Sequence, residues 1–130
     1  MTKQILIIED ETDLRTLYAQ ILQQAGFTIE QAIDGEEGYL KLSKKDYDLI
    51  LLDIILPKLD GLQMLDKLKA DHKAVKGKIV LLTNLSQELV VSKAMEYNIN
   101  GYMVKSDLTP DQIVQEVKNY LDGQKAVTAI

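Results

Sequence analysis

The hydrophobic residues of this chain fall in short blocks, and most blocks end in a charged or hydroxyl side chain. Ile5-Leu-Ile-Ile8 runs into Glu9-Asp10-Glu11, Leu49-Ile-Leu-Leu52 into Asp53, Ile79-Val-Leu-Leu82 into Thr83, and Gly101-Tyr-Met-Val104 into Lys105. Short runs rich in Ile, Leu and Val, bounded by charge or turn residues, read as strands buried on both faces. Phe27 to Ile33 is a more mixed strand and suits a sheet edge. Between these blocks the period changes. Leu14, Leu17, Tyr18, Ile21, Leu22 and Ala25 follow helical spacing, with Gly26 placed to end the helix. Asp34-Gly35 reads as a turn before a short helix whose middle is Gly38 to Leu42 and which ends near Lys44-Lys45. Pro57 to Gly61 reads as a loop; Leu62, Leu65 and Leu68 mark a third helix, and Ser86 to Asn98 a fourth. Thr109-Pro-Asp-Gln112 has capping-box spacing with proline at the first helical position, and predicts a last helix whose inner face is Ile113, Val114, Val117, Tyr120 and Leu121.

Strand and helix thus alternate five times, which predicts one α/β domain over residues 1–123, a parallel sheet with helices on both faces. Gln124 to Ile130 reads as a tail or the start of a linker. A chain of 130 residues with 46% hydrophobic and 27% charged positions supports one globular core without staples. It has no cysteine, which excludes disulfides, thiolate catalysis and cysteine zinc sites, and its one histidine, His72, lies in a polar turn. No leader is expected, and no apolar run approaches the roughly 18 residues of a membrane span, so the expected location is the cytoplasm without membrane insertion. A net charge of −5 argues against direct nucleic-acid binding.

In a parallel sheet the carboxyl ends of all strands share one edge, where ligands bind. Glu9, Asp10, Asp53, Thr83 and Lys105 therefore converge. Two unit charges about 4 Å apart repel by roughly 1–4 kcal/mol at effective dielectrics of 80 to 20. The three acids must accordingly protonate, splay into water or hold a cation. With oxygen ligands the natural cation is Mg2+, which takes one or two carboxylates and commonly bridges to phosphate. Beside a metal-bound phosphate, Asp53 is a plausible nucleophile at phosphorus. Thr83 could donate a hydrogen bond, and Lys105 a charge-assisted one, to the phosphoryl oxygens.

Residues 3–122 resemble the receiver domain of two-component response regulators. The resemblance rests on Ile5-Leu-Ile-Ile-Glu-Asp-Glu11, Asp48-Leu-Ile-Leu-Leu-Asp-Ile-Ile-Leu-Pro57 with Gly61, Leu81-Leu-Thr83 and Gly101-Tyr-Met-Val-Lys105, in this order and spacing. It implies a (βα)5 flavodoxin-like, doubly wound five-stranded sheet of order 2-1-3-4-5. It implies that Asp53 accepts a phosphoryl group from a sensor histidine kinase or histidine phosphotransfer protein, or slowly from small donors. Asp10 and Asp53 would bind one Mg2+ with the backbone carbonyl of Ile55, and Glu9 would act through water. Thr83 and Lys105 would hold the phosphoryl group, and Tyr102 would be the switch aromatic that follows Thr83 inward. That motion would bias a face made by the 86–98 helix, the fifth strand and the last helix, read by a downstream protein or output domain. The domain would be a regulatory phosphoacceptor and no enzyme beyond its own phosphotransfer and dephosphorylation. Without an output domain after residue 123, it would be either a single-domain regulator or part of a longer one.

Four positions depart from the family pattern. Ser106 follows Lys105 where proline in a cis peptide is usual; a cis bond without proline costs about 2.5–4 kcal/mol, which favours a trans bond and a differently shaped loop. Asn84 stands where a very small residue is preferred. Ile55 and Leu85 are apolar where polar residues often place the hydrolytic water, and they predict slow self-dephosphorylation. Other readings compete. A phosphorylation-independent protein-binding module is one alternative. A haloacid-dehalogenase-like phosphohydrolase would carry an acid at position 55 and a cap, and a flavodoxin-like flavin protein would have a phosphate loop that Glu9-Asp10-Glu11 would repel.

Overall fold

The computed structural model describes residues 2–73, 75–83, 92, 96–97, 99–105 and 108–123. Five strands, β1 (Gln4–Ile8), β2 (Thr28–Ala32), β3 (Leu49–Asp53), β4 (Lys78–Thr83) and β5 (Gly101–Val104), form one sheet in the order β2-β1-β3-β4-β5. All four pairings are parallel. This is the doubly wound, flavodoxin-like arrangement expected, with the polar β2 at one edge and the apolar β1, β3 and β4 inside. Helices α1 (Thr12–Gln24), α2 (Gly35–Lys44), α3 (Gly61–Ala70) and α4 (Pro110–Leu121) are the helices delimited among the described residues.

Alternation along each strand divides the core in two. Ile5, Ile7, Leu49, Leu51, Val80, Leu82 and Met103 face Tyr18, Ala19 and Leu22 of α1 and Ile113, Val117 and Tyr120 of α4. Leu6, Ile8, Ile50, Leu52, Ile79 and Leu81 face Met64, Leu65 and Leu68 of α3, with Tyr39 and Leu42 of α2 packed alongside. The runs of consecutive apolar residues are therefore explained: each central strand is covered on both sides. On α1 the inner face includes Ala19 and leaves Leu17 about half exposed, so the helix is rotated slightly from the expected stripe.

Several boundaries differ from the expected ones for identifiable reasons. Asp34-Gly35 is the start of α2 instead of a separate turn, because the Asp34 carboxylate accepts a hydrogen bond from the Glu37 amide at 2.9 Å. Asp60 caps α3 in the same way, with Gln63 returning a bond to the Asp60 amide. The box predicted at Thr109 and Gln112 is present at α4. Of the expected fourth helix, Ser92 is helical while Glu96 and Tyr97 lie in a turn; the rest of 86–98 lies outside the described residues, as do Asn84, Leu85, Ser106 and the tail 124–130.

Candidate functional site

Register brings the strand ends to one edge. Ile8 pairs with Leu52, Asp53 with Leu82 and Thr83 with Val104. The ladders continue one residue further, with the Glu9 amide on the Ala32 carbonyl at 3.1 Å and the Lys105 amide on the Thr83 carbonyl at 2.8 Å. Glu9, Asp53, Thr83 and Lys105 are thus fastened by backbone before their side chains do anything.

One carboxylate oxygen each from Glu9, Asp10 and Asp53 lie within 4.8 Å of one another. The Lys105 ammonium stands 2.7 Å from Asp53 Oδ2 and 2.8 Å from Glu9 Oε1. Asp53 Oδ1 accepts the Ile55 amide at 3.1 Å, and Glu9 Oε2 accepts the Glu11 amide at 3.1 Å. Arg15 Nη1 donates to the Glu9 carbonyl at 2.7 Å, and its Nε to Gln31 Oε1 at 3.1 Å, which ties the end of β1 to α1 and β2. Glu9, Asp53 and Thr83 are buried, whereas Asp10 is exposed.

The loop after Asp53 approaches closely enough to require a glycine. The Gly61 amide donates to the Ile54 carbonyl at 2.7 Å, and a Cβ at Gly61 would lie 2.8 Å from Ile54 Cα and 3.0 Å from the Asp53 carbonyl oxygen. The start of α3 is therefore seated directly on the backbone that carries Asp53. Ile55 projects its side chain into solvent at the rim.

The electrostatics follow from burial. Lys105 brings one positive charge to a group with three carboxylates. Burial pushes the Glu9 carboxyl up to about 7, against the opposing pull of Lys105 and the Glu11 amide, and the Asp53 charge adds to the rise. Burial alone would lower the Lys105 ammonium, but its hydrogen bond to Asp53 and its ion pair with Glu9 outweigh it and hold the lysine above its ordinary value. Glu9 Oε1 is close to Lys105, yet the geometry falls short of a directed hydrogen bond, and this buried oxygen keeps an unused acceptor capacity. A hard cation fits that arrangement: its ligands would be oxygens, it would relieve the excess negative charge, and it would satisfy Glu9.

The five expected polar residues are therefore brought to one edge; among the acids Glu9 is buried and ion-paired with Lys105, whereas Asp10 is exposed. Tyr102 lies in β5. It pairs with Leu81 in the ladder and packs half-buried against the cluster on the α3 side. Sequence reasoning did not find the Arg15 bond to the Glu9 carbonyl, nor the Tyr18 hydroxyl, which donates to the Lys105 carbonyl. Helical spacing marked Tyr18 as apolar core, and no local pattern distinguishes its hydroxyl.

A parallel five-stranded sheet of this order with an acid-and-lysine cluster at its carboxyl edge defines a flavodoxin-like α/β domain, and comparison with known proteins narrows it. The family model for the response regulator receiver domain matches residues 5–118. The chain belongs to that family. It is 34% identical over 128 residues to the transcriptional regulatory protein SrrA of Staphylococcus aureus, covering 98% of this chain and 52% of that one. It is 28% identical over 113 residues to a gliding motility regulatory protein of Myxococcus xanthus, covering 87% and 14% respectively. The chain thus spans about half or less of the length of these relatives. Among solved structures, a CheY-like receiver domain protein from Methanospirillum hungatei matches with TM-score 0.77 and 26% identity over 95% of this chain and 97% of that one. The chemotaxis regulator CheY4 of Vibrio cholerae shares the fold, with TM-score 0.80 and 21% identity over 92% and 98% of the two chains.

Proposed function

We propose that this domain is a phosphoaccepting switch in a two-component phosphorelay, with Asp53 as the acceptor. The observation that carries the reading is the placement of Asp53: buried at the end of the central strand β3, 2.7 Å from the Lys105 ammonium, with oxygens of Glu9 and Asp10 within 4.8 Å. A carboxylate oxygen of Asp53 would attack the phosphorus of a phosphohistidine on a sensor kinase or phosphotransfer protein. The new P–O bond forms as the P–N bond breaks, and the leaving imidazole takes up a proton. Lys105 would move from its carboxylate partners toward the phosphoryl oxygens, which replace them with a stronger anion at the same edge. Thr83, at the end of the adjacent strand, would donate its hydroxyl to the same group.

Glu9, Asp10, Asp53 and the Ile55 carbonyl are the groups that would hold Mg2+, which when bound supplies neutralisation of the phosphoryl charge. Inward movement of Thr83 would then draw Tyr102 with it and shift the population of the surface that includes β5 and α4, where a downstream protein or output domain reads it. The cytoplasm is the compartment this chemistry implies.

Incubation with a small acyl-phosphate donor and Mg2+, read by intact mass, tests the reading. Wild type gains one phosphoryl group and Asp53→Asn gains none. Unmodified wild type under saturating donor would overturn the phosphoacceptor reading and favour a protein-binding module.

A further inference from the structure

Lys105 has to reach two buried carboxylates at once, and the chain must hold its backbone for that. Its amide is fixed on the Thr83 carbonyl at 2.8 Å. Its carbonyl accepts a hydrogen bond from Tyr18 Oη of α1, at 3.3 Å across 87 residues of sequence. Tyr18 is almost wholly buried in the cluster formed by α1, α4 and the sheet, and burial pushes its hydroxyl up to about 12, so it remains a neutral donor. A buried hydroxyl needs a partner, because leaving it unpaired forfeits its hydration without return. The serine at position 106 does not lock its own backbone φ as a proline would. A hydrogen bond to the Lys105 carbonyl supplies a restraint on the end of β5 from α1.

We propose that Tyr18 is a positioning residue for phosphoryl capture: its hydroxyl, bonded to the Lys105 carbonyl, holds the end of β5 so that the Lys105 ammonium stays over Asp53 and Glu9. This rests on the phosphoacceptor reading, and it goes beyond it by assigning a role to a side chain that is not itself one of the groups holding the phosphoryl oxygens. Tyr120 provides a matched comparison. It is also buried, and its hydroxyl also donates to a β5 carbonyl, that of Tyr102, at 3.4 Å. The two tyrosines differ in which backbone group they hold: only Tyr18 holds Lys105.

The test is beryllofluoride binding with Mg2+, followed by titration, in wild type, Tyr18→Phe, Tyr120→Phe, Lys105→Met and the double variant Tyr18→Phe/Lys105→Met. Phenylalanine keeps the ring in the core and removes only the hydroxyl. Because the bond is long, the expected loss of beryllofluoride affinity in Tyr18→Phe is about threefold, the low end of what a buried hydrogen bond contributes. Mg2+ affinity measured without beryllofluoride stays at the wild-type value, and Tyr18→Phe has no further effect once Lys105 is methionine. Tyr120→Phe lowers the melting temperature without changing beryllofluoride affinity. Wild-type affinity in Tyr18→Phe, or an equal loss in the Lys105→Met background, would overturn the positioning role while leaving the phosphoacceptor reading intact. Failure of wild type itself to bind beryllofluoride would overturn both.

Discussion

Lys105 Nζ lies 2.8 Å from Glu9 Oε1, and neither side chain has more than a small fraction of its surface in solvent. The pairing changes which acid matters most in the absence of a cation. Asp10, which shares the cluster, faces solvent and its charge is screened by water; Glu9 does not have that relief.

Neutralising Glu9 should therefore stabilise the metal-free domain. The folded-state pKa of Glu9 is raised above its unfolded value of about 4.5 to about 7, so the folded state retains a proton that the unfolded state has lost in that window. Stability in chelator falls as pH rises from about 4.5 to about 7, and Glu9→Gln flattens that slope. At pH 8 Glu9→Gln gains on the order of 1–3 kcal/mol in urea melts and binds Mg2+ more weakly. Asp10→Asn gains less in chelator. A metal-free Glu9→Gln that is less stable than wild type at pH 8 would show that its ion pair with Lys105 outweighs its burial.

Substitution at Gly61 should damage both stability and the site. An added Cβ meets the backbone of Asp53 and Ile54, which cannot swing aside as the tip of a side chain could. Gly61→Ala is expected to cost about 1–3 kcal/mol. It also lowers the rate of phosphoryl uptake from a small donor, since the strand end must shift. Unchanged uptake in Gly61→Ala would mean that the Asp53 loop yields without moving its carboxylate.

The rim predicts a slow reset. Ile55 exposes a hydrocarbon side chain beside Asp53, where it can neither donate to nor accept from an attacking water. The phospho-aspartate of wild type should outlive that of the Ile55→Asn/Leu85→Glu variant, by roughly tenfold if one well-placed water contact of about 1.4 kcal/mol is gained. Decay followed by intact mass decides it, and equal lifetimes would count against the rim.

Removal of the α4 cap should be felt as a local loss. Thr109 Oγ1 accepts the Gln112 amide at 3.3 Å, and Gln112 Oε1 accepts the Thr109 amide at 2.9 Å. Thr109→Ala should cost about 1 kcal/mol in urea denaturation without altering phosphoryl uptake. A loss of uptake would tie the start of α4 to the Lys105 loop more tightly than the cap bonds imply.

Much of this protein is written locally. Consecutive apolar residues in β1, β3 and β4 announce strands covered on both faces, and the mixed β2 announces an edge, because side-chain hydration acts residue by residue. The polar residue closing each run marks the edge where chemistry collects, since parallel strands all end on the same side. The cap at Thr109 was legible from a four-residue spacing. Those at Asp34 and Asp60 carry a similar spacing, with Glu37 and Gln63 three residues on, but their glycines read first as turn and loop.

What the sequence alone determined was the class of sheet, the sequence of elements and the set of polar residues at its working edge, all consequences of hydrophobic period and turn chemistry. Tertiary structure decided which of those residues are buried and which touch. Glu9 became the sequestered acid and Asp10 the exposed one, although they are neighbours in the chain, because successive residues at a strand end face different surroundings. Lys105 found Asp53 across 52 residues, and Tyr18 found the Lys105 carbonyl across 87. No period or spacing encodes contacts of that kind. They exist only once packing has fixed the distance between elements, and there the charge balance of the site and the support of its lysine are settled.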